Sequence, residues 1–587
     1  MTTVHRRVVP QLEARRNAVP ETGSRGRPRC AASHDLRVRS AEYVVSLLVD
    51  KCGTIFEGRA GGVDKPVYGA HTYGFNTDTS GVAVLGDYNT ATSTAAVRDS
   101  IAQLAAWKLG SYGINPAGSL VMAAGADNGK FTQGQLVTMN RISGHRDGYP
   151  TECPGDNLYG DLPAIRTAAA ALNSRSVYGD TNGDGRADLA AGSPGSTANT
   201  HPGAGQVTVL PGARTTPYAG DKTVVTQESE GVPGGSEDGD GFGSATAYGD
   251  LDHDGYTDLV VASPGEEVTA GASDEGGVSI LRGTPNGLAG QAGMINEPAT
   301  VRASGARFGS ALATGDFDGD GDDDILAVAP GAGRAWSVDG TTRAFSAPLQ
   351  LRDGGPVADP AVATGDFDHD GYEDAALAFR TSGGARQLVV VRGSAEGLRT
   401  DAPAVLDGAG GRSLAAGDLN GDGYTDLVVG RPDSGTGGEL AAYHGSAHGL
   451  TTTGATDVTQ LVSLGEELGA SLAVRDTDGD GYADVLAGAP GADSGAGQAY
   501  LLRGSAAGLS DTAATTYAEG AGALPGAPAS GDRFGVAVAL ADLDGDGTPE
   551  PAFGAPGEDA VTVPGATYGP AATGTASGTG LGSELTQ

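Results

Sequence analysis

The chain has 587 residues, more than one hydrophobic core usually supports, so its length predicts two or more domains. Its 99 glycines, with 39% hydrophobic and 19% charged residues, indicate a turn-rich, largely β protein and argue against a disordered one. The formal net charge of −36 excludes nucleic acid and anionic lipid as electrostatic partners. No apolar run reaches the roughly 18 residues that a membrane span needs.

Residues 1–45 form an arginine-rich segment with nine arginines, no lysine and no apolar periodicity. No apolar stretch follows Met1, so we expect no secretory signal in the sequence as it stands. The three cysteines, Cys30, Cys52 and Cys153, are too few for a disulfide framework and leave at least one free or metal-bound.

Residues 46–173 combine strand-like and helix-like patterns. The stretch 48–59 predicts a strand–turn–strand hairpin. A helical apolar stripe follows and ends near Gly110; its residues are Val97, Ile101, Leu104 and Ala105. Residues 164–172 predict a second helix, with Asp161 as its N-cap.

The stretch 144–155 reads Gly-His-Arg-Asp-Gly-Tyr-Pro-Thr-Glu-Cys-Pro-Gly and holds His145 and Cys153 on one loop. Imidazole and thiolate are ligands that Zn²⁺ prefers. Because such a pair is more often structural than metal-binding, the flanking segments decide the interpretation. They are the hairpin, the Gly-Ala-His-Thr at 69–72 and the apolar run 81–86.

Together these segments, over residues 47–172, resemble bacterial peptidoglycan recognition proteins, which are related to zinc-dependent N-acetylmuramoyl-L-alanine amidases. The resemblance implies a mixed sheet flanked by helices, with one Zn²⁺ held by two His and one Cys. Water activated by that ion attacks the lactyl–L-Ala amide of peptidoglycan. By resemblance, His145 and Cys153 are two ligands, Thr151 stabilises the oxyanion, and His71 and Asn76 line the substrate groove. For His71, a hydrogen-bonded turn residue is the alternative interpretation.

The chain departs from this family pattern at its start. The family's first strand carries a catalytic Tyr where this chain has Val45. The third zinc ligand, a His, should lie near Arg16, and only His5 and His34 are available upstream. Whether the domain is an enzyme is therefore left open.

One hypothesis explains this departure. Residues 1–45 are read from a wrong frame or a mis-assigned start, so that the domain at 46–173 is truncated. By the same resemblance, Cys52 pairs with an upstream cysteine, and Cys30 is the only candidate, although its surroundings do not match the family.

Residues 177–571 contain the nine-residue pattern D-x-[DN]-x-D-G-x-x-[DE] seven times, at intervals of 50 to 70 residues. Short apolar strands precede and follow the copies, as at 308–314 and 259–262, and a third strand follows, as at 205–210. Strands and turns at such regular intervals predict a seven-bladed β-propeller.

Each copy predicts a calcium loop, because its acids at positions 1, 3, 5 and 9 can surround an ion that takes about six to eight oxygens. A helix–loop–helix calcium site needs an acid at position 12, where the second copy has Val261, so that class is excluded. A turn that bonds only to itself is the alternative for any single copy. Seven Ca²⁺ would offset +14 of the net charge of −36. The predicted ligands are Asp180, Asn182, Asp184 and Asp188; Asp250, Asp252, Asp254 and Asp258; Asp316, Asp318, Asp320 and Asp324; Asp366, Asp368, Asp370 and Asp374; Asp418, Asn420, Asp422 and Asp426; Asp476, Asp478, Asp480 and Asp484; Asp542, Asp544, Asp546 and Glu550.

The repeats resemble the FG-GAP repeats of integrin α-subunit propellers. The matching features are Phe-Gly pairs at 242–243, 308–309 and 534–535 and Gly-Ala-Pro turns at 488–490 and 554–556. The fourth copy lacks the Gly-Ala-Pro turn, the first lacks the Phe-Gly pair, and the last closes with Glu550. The resemblance implies a fold and calcium binding but names no partner.

The sequence therefore predicts a multidomain protein, in which a truncated α/β amidase-type domain precedes an all-β seven-bladed propeller. Residues 572–587 are predicted as a tail, unless part of them supplies a closing strand. We expect an extracellular protein that acts on peptidoglycan with one Zn²⁺ and up to seven Ca²⁺, while the propeller binds wall glycan or a surface protein. The alternative is a non-catalytic adhesin of the cell wall or surface.

Overall fold

The computed structural model describes residues 47–57, 71–76, 79–110, 116, 118–173, 178–213, 222–351, 355–458, 465–510, 514–573 and 575–586. The chain divides into two compact units, Met1–Asn173 and Ser174–Gln587. Val45, the N-terminal histidines and Cys30 lie outside the described residues. Within the described ranges, no helix is both long enough and apolar enough to cross a membrane.

The described strands of the first unit form two small sheets. In one, β1 (Leu47–Val49) lies between β2 (Ile55–Glu57), which runs antiparallel to it, and β3 (Val82–Val84), which runs parallel. The β1–β2 hairpin was predicted, and its turn forms because Oδ1 of Asp50 accepts the backbone N–H groups of Cys52 and Thr54, each at 2.8 Å. The other sheet pairs β4 (Ser119–Ala123) with β5 (Leu136–Asn140).

Three helices complete the described part of this unit: α1 (Ala95–Gly110), α2 (His145–Gly148) and α3 (Asp156–Asn173). The predicted stripe of α1 is confirmed, since Val97, Ile101 and Leu104 are buried in one cluster with apolar residues of α3 and β1. The predicted start of the second helix was wrong. Helix α3 begins at Asp156, so Asp161 lies inside it and accepts a hydrogen bond from the Ser93 hydroxyl.

The error arose because the buried stripe of α3 continues on both sides of Pro163, which lies inside the helix. The buried residues of this stripe are Leu158, Leu162, Ile165 and Ala169. A Pro lacks the N–H of one helical hydrogen bond, so a sequence pattern places it near a helix start. Packing against α1 and β1 stabilises the longer helix.

In the second unit the described residues form seven four-stranded antiparallel sheets, numbered here in chain order. The first sheet pairs, in order, β33 (Glu584–Leu585), β6 (Leu189–Ser193), β7 (Gln206–Leu210) and β8 (Thr223–Val225). Each of the other six takes four consecutive strands. The second has β9 (Thr246–Gly249), β10 (Asp258–Ser263), β11 (Gly277–Arg282) and β12 (Ala289–Gly290); the third β13 (Leu312–Gly315), β14 (Asp324–Ala329), β15 (Arg334–Val338) and β16 (Leu349–Gln350); the fourth β17 (Val357–Gly365), β18 (Asp374–Thr381), β19 (Arg386–Val391) and β20 (Ala404–Asp407). The fifth has β21 (Ser413–Gly417), β22 (Asp426–Arg431), β23 (Glu439–His444) and β24 (Thr451–Val458); the sixth β25 (Leu472–Arg475), β26 (Asp484–Ala489), β27 (Gln498–Leu502) and β28 (Thr515–Tyr517); the seventh β29 (Val538–Ala541), β30 (Glu550–Ala555), β31 (Ala560–Val563) and β32 (Ala566–Tyr568). Short helical segments lie at Pro330–Ala332, Ala492–Gly495 and Pro570–Thr573.

Hydrophobic clusters join each sheet to the next one along the chain. The second strands of the sheets are almost wholly buried, as in β10 and β14, which explains their continuous apolar runs. The Phe of each predicted Phe-Gly pair is fully buried between two sheets. The clusters make one core of repeated layers.

The C-terminal residues belong to this core, so the structure contains the closing strand that was the alternative to a tail over 572–587. Strand β33 pairs antiparallel with β6, with Glu584 opposite Gly192 and Leu585 opposite Ala191. Leu585 and Leu581 are buried in a cluster shared by the seventh and first sheets. Burial of these two leucines outweighs the weak strand propensity of the Gly/Ser/Thr-rich segment, which was the basis for predicting a tail.

Candidate functional site

The acidic loops occupy equivalent places in the sheets. In the second to seventh sheets each loop joins the first strand to the second, and its ninth residue begins the second strand, as Asp258 begins β10. In the first sheet the loop 180–188 precedes β6, and the first strand is β33 from the end of the chain. The loops therefore recur at the same end of each sheet.

The carboxylate at position 1 of each loop accepts backbone N–H groups from later residues of the same loop. In the second loop, Oδ1 of Asp250 accepts the N–H of Asp254 at 3.0 Å, and Oδ2 accepts the N–H of Gly255 at 3.0 Å. Gly255 has a φ of +85°, a conformation that favours glycine. The same pair of bonds recurs at Asp180, Asp316, Asp366, Asp418 and Asp542. These bonds turn positions 3 and 5 back toward position 1.

The carboxylate at position 9 fastens the loop to its sheet. Oδ2 of Asp258 accepts the N–H of Leu251 at 3.0 Å, and Oδ1 accepts the N–H of Gly283, just after the third strand, at 2.8 Å. Position 9 of the first, fourth, fifth and sixth loops also accepts the N–H of the glycine after the third strand: Gly212, Gly393, Gly445 and Gly504. Sequence reasoning missed this role, and a glycine 19 to 25 residues after position 9 was the available signal.

The acids converge closely enough to share a cation. In four of the predicted loops, three carboxylates place one oxygen each within 4.8 Å of one another: Asp250, Asp252 and Asp254; Asp316, Asp318 and Asp320; Asp366, Asp368 and Asp374; Asp476, Asp478 and Asp484. Oδ1 of Asp368 is buried and has no hydrogen-bond partner. Carboxylate oxygens in this number and spacing fit Ca²⁺, a hard cation.

Burial, reinforced by neighbouring carboxylates, raises the pKa of the acid at position 1 in the second and third loops. The pKa rises to about 8 at Asp250 and to about 7 at Asp316. At position 9 of the third and fourth loops, the same causes raise the pKa of Asp324 to about 8 and that of Asp374 to about 7. A divalent cation between the carboxylates would favour their charged forms and offset the cost of burying them together.

A cationic side chain enters some loops from the end of the third strand. Arg503 Nη1 lies 2.5 Å from Oδ2 of Asp484 and 3.1 Å from Oδ2 of Asp478. The guanidinium groups of Arg282 and Arg392 contact acids of the second and fourth loops in the same way. The equivalent residues, each just before the glycine, are Pro211, Asp339, His444 and Pro564 in the first, third, fifth and seventh sheets. The loops thus have the same types of predicted ligand, but they differ in the charge of the side chain that lies beside the acids.

In the first unit, the predicted zinc ligands lie on one compact loop. His145 begins α2, and the N–H of the next residue, Arg146, donates to the carbonyl oxygen of Cys153 at 2.9 Å. The ring of Tyr149 stacks on that of His145, with centroids 5.5 Å apart. Thr151 Oγ1 accepts the N–H of Cys153 at 3.3 Å. The loop therefore brings His145, Thr151 and Cys153 into one neighbourhood.

The chemical states of these groups fit a zinc site. Cys153 is a free, exposed thiol. Burial lowers the pKa of His145, so its imidazole is available in the neutral form that binds metal. Cys52, in contrast, is disulfide-bonded, and its partner lies outside the described residues.

His71 and Asn76 lie together in a tight turn. Oδ1 of Asn76 accepts the N–H groups of His71 and Thr72, at 2.8 and 2.7 Å. Nε2 of His71 lies 2.8 Å from the carbonyl oxygen of Thr79, which can only accept, so Nε2 carries the proton. Burial lowers the pKa of His71, although the hydrogen bond to Thr79 partly opposes that shift, and protonation of His145 would lower the pKa further. His71 therefore has the geometry of a hydrogen-bonded turn residue, which was the alternative interpretation. Its turn lies close to His145.

Asn128 joins this turn to the zinc-type loop, a role that sequence reasoning missed. The Asn128 side chain is 7% exposed, and its Nδ2 donates to the carbonyl oxygens of Tyr73 and Gly148, each at 2.9 Å. Asp147 fixes the other side of the loop by accepting the N–H of Gly144 at 2.8 Å and the hydroxyl of Tyr159 at 2.7 Å. The contacts of Asn128 have no local sequence signal, since Tyr73 and Gly148 lie 55 and 20 residues away in the chain.

Comparison with known proteins agrees with this division. Residues 4–156 match the N-acetylmuramoyl-L-alanine amidase family, and that match begins inside the arginine-rich segment. The FG-GAP repeat family matches residues 176–210, 242–281, 308–344, 410–445 and 468–502. The chain therefore carries an amidase-family domain at its N-terminus, followed by FG-GAP repeats.

Individual relatives match one part of the chain each. Integrin alpha-PS5 of Drosophila melanogaster is 36% identical over 26% of this chain and 15% of its own length. Peptidoglycan-recognition protein SC2 of Drosophila simulans is 28% identical over 21% of this chain and 52% of its own length. The chain thus spans about half or less of each relative. Among solved structures, hydrazine synthase of Kuenenia stuttgartiensis is 12% identical over 57% of this chain and 85% of that chain, with a TM-score of 0.33.

Proposed function

We propose that the protein is an extracellular peptidoglycan-binding protein whose second unit is a calcium-loaded, seven-bladed propeller. The observation that carries the first part is the loop of His145 and Cys153, joined through Asn128 to the turn of His71. It lies within the amidase-family match, and a peptidoglycan-recognition protein is among the relatives of this region.

His145 and Cys153 would hold one Zn²⁺ at a site that lacks the family's third ligand, for which His5 and His34 are the only candidates upstream. When bound, Zn²⁺ supplies an activated water for amide hydrolysis. Tyr149 stacks on His145 and orients its ring, while the bond from Arg146 N–H to Cys153 holds the loop closed. Thr151 would then face the developing oxyanion.

We expect little or no amidase activity from this chain, although it binds peptidoglycan. Catalytic zinc sites hold the ion through three protein ligands, and loss of one weakens metal binding. Val45, at the family's Tyr position, has no hydroxyl for an oxyanion. The assay is the release of free L-Ala amino termini from purified peptidoglycan with zinc present, with Cys153→Ala as the control.

Zinc-dependent release well above that of Cys153→Ala would contradict this expectation. His5→Ala and His34→Ala would then identify the third ligand, because only its loss reduces release to the control level. Binding is measured separately by co-sedimentation with insoluble peptidoglycan. There His71→Ala should lower the bound fraction severalfold, and His448→Ala, which changes an exposed histidine of the second unit, should not.

For the second unit, the proposal of a propeller rests on two observations. Hydrophobic clusters are shared between successive sheets, and β33 pairs with β6. The calcium proposal rests on the convergent acids. We expect the second unit, followed within the full chain, to melt at a temperature lower by more than ~10 °C when a chelator is present. Several loops lose their ion at once under that condition. An unchanged midpoint would count against calcium. Docking to wall glycan or a surface protein is the role we assign to the propeller.

A further inference from the structure

The seventh sheet carries a second group of acids, at the end opposite its nine-residue loop. Glu558 lies in the turn between β30 and β31, whereas the loop 542–550 joins β29 to β30. Successive antiparallel strands place these two connections at opposite ends of the sheet. Glu519 follows β28 and Asp532 precedes Phe534, and one carboxylate oxygen from each of the three acids lies within 4.8 Å of the others.

Glu519 is the unusual member of this group. Its side chain is 3% exposed, and both of its carboxylate oxygens are buried without a hydrogen-bond partner. Asp532 is 8% exposed and accepts the N–H of Ala529, while Glu558 is exposed and opens the group to solvent. A buried carboxylate without a partner is costly, so this one needs a cation or a proton.

The second sheet contains the matching group without the unpaired acid. Gln227 lies two residues after β8, as Glu519 lies two residues after β28. Asp240 lies two residues before Phe242, and Glu266 follows a Pro-Gly turn, as Asp532 and Glu558 do in the seventh sheet. Here Nε2 of Gln227 donates to Oε2 of Glu266 at 2.6 Å. An amide at this position therefore satisfies the neighbouring acid within the protein.

The third sheet has another buried Glu, and it is compensated. Glu297 is 0% exposed, and Arg334 Nε and Trp336 Nε1 donate to its Oε1 at 2.5 and 2.8 Å. Two of the three related groups thus hold their own donors. In the seventh sheet, no described residue donates to Glu519.

We propose that Glu519, Asp532 and Glu558 bind a divalent cation of the hard, oxygen-preferring class, at a site separate from the seven loops. Three carboxylates suit Ca²⁺, with water completing the shell on the side of Glu558. The site goes beyond the calcium loops and does not depend on them. A proton competes with the cation for this site, because burial, together with the neighbouring Glu558, raises the pKa of Glu519.

The test counts the Ca²⁺ ions bound to the full chain by native mass spectrometry at pH 8. Glu519→Gln reproduces the amide of the second sheet and should remove one ion. Asp544→Asn, at position 3 of the seventh loop, should remove a different ion, so that the double variant binds two fewer. In calcium-free buffer Glu519→Gln should melt higher than the unchanged chain, because it no longer buries an unpaired carboxylate.

An unchanged ion count in Glu519→Gln, with melting equal to that of the unchanged chain in calcium, would overturn the proposal in favour of a bound proton. Gln227→Glu provides the reverse test, since it should add one ion at the second sheet. If Asp544→Asn leaves the count unchanged while Glu519→Gln lowers it, the loop proposal fails and the present one stands.

Discussion

The two units differ in how much of each candidate site is local in the sequence. In the second unit, a loop needs nine consecutive residues and one glycine after the third strand, and this arrangement recurs in sheet after sheet. In the first unit, the candidate site draws on a turn at His71 and a loop at 145–153, which Asn128 joins. A site built from consecutive residues survives change elsewhere in the chain, whereas a site assembled from distant segments depends on all of them.

The largest expected effect is the dependence of the second unit on pH. The pKa of Asp250 is raised to about 8 and that of Asp316 to about 7, above the ordinary value near 4 of an unfolded chain. The folded, calcium-stripped protein then binds more protons than the unfolded one between about pH 4 and 8. Its stability should therefore fall as pH rises through that window.

The measurement is the melting temperature of calcium-stripped protein between pH 5.5 and 8.5, beside the same series in saturating calcium. Calcium replaces the protons, so the gap between the two series should widen toward pH 8.5. A stripped series that rises with pH relative to the calcium series would refute the electrostatic account of the loops.

The second prediction compares the loss of stability caused by substitutions at position 9 and at position 3 of the same loop. Asp258→Ala removes a buried acceptor from Leu251, Gly283 and Arg282, and should cost about 3–5 kcal/mol of unfolding free energy in urea. Asp252→Ala should remove one calcium ion but cost under about 1 kcal/mol in calcium-free buffer, because its contact with Arg282 spans 3.7 Å. Equal losses from the two variants would show that position 9 is only a ligand.

In the first unit, Asn128→Ala should cost about 1–3 kcal/mol, since it leaves two carbonyl oxygens without their donor. It should also lower peptidoglycan binding, because the His71 turn loses its link to the loop of His145. Asn157→Ala is the matched control, with one bond to the carbonyl oxygen of Ala91. If binding is the same in both variants, the link does not position the site.

The smallest effect concerns the counter-charges. Arg503→Gln should raise the calcium affinity of the sixth loop by about tenfold, or ~1.4 kcal/mol, because the guanidinium opposes the ion at Asp478 and Asp484. The difference in terbium luminescence between the chain and its Tyr482→Phe variant reads this loop, since Tyr256, Tyr372 and Tyr424 occupy the same position in other loops. An affinity lowered by the substitution would mean that Arg503 supports the bound form.

Much of the second unit could be predicted from the sequence because its signals are local. The seven acidic patterns mark the loops, and the apolar runs mark strands such as β10. The contacts that could not be predicted are all long-range. The example is the partner and register of β33, which pairs with β6 nearly four hundred residues away.

In the first unit the same limit is more severe. The loop of His145 and Cys153 was recognisable from its residues, but the link through Asn128 joins Tyr73 to Gly148, and no spacing rule connects them. The start of α3 was misplaced because Pro163 favours a helix start in isolation, while burial of Leu158 and Leu162 decides the observed one. The unpaired state of Glu519 is likewise visible only when its neighbours are placed in space.

The most direct test of the central claim is the number of calcium ions that the full chain binds, counted by native mass spectrometry at pH 8. The account predicts seven ions from the acidic loops and an eighth at Glu519, Asp532 and Glu558. A chain that binds no calcium under these conditions, and that melts at the same temperature with and without it, would contradict the account.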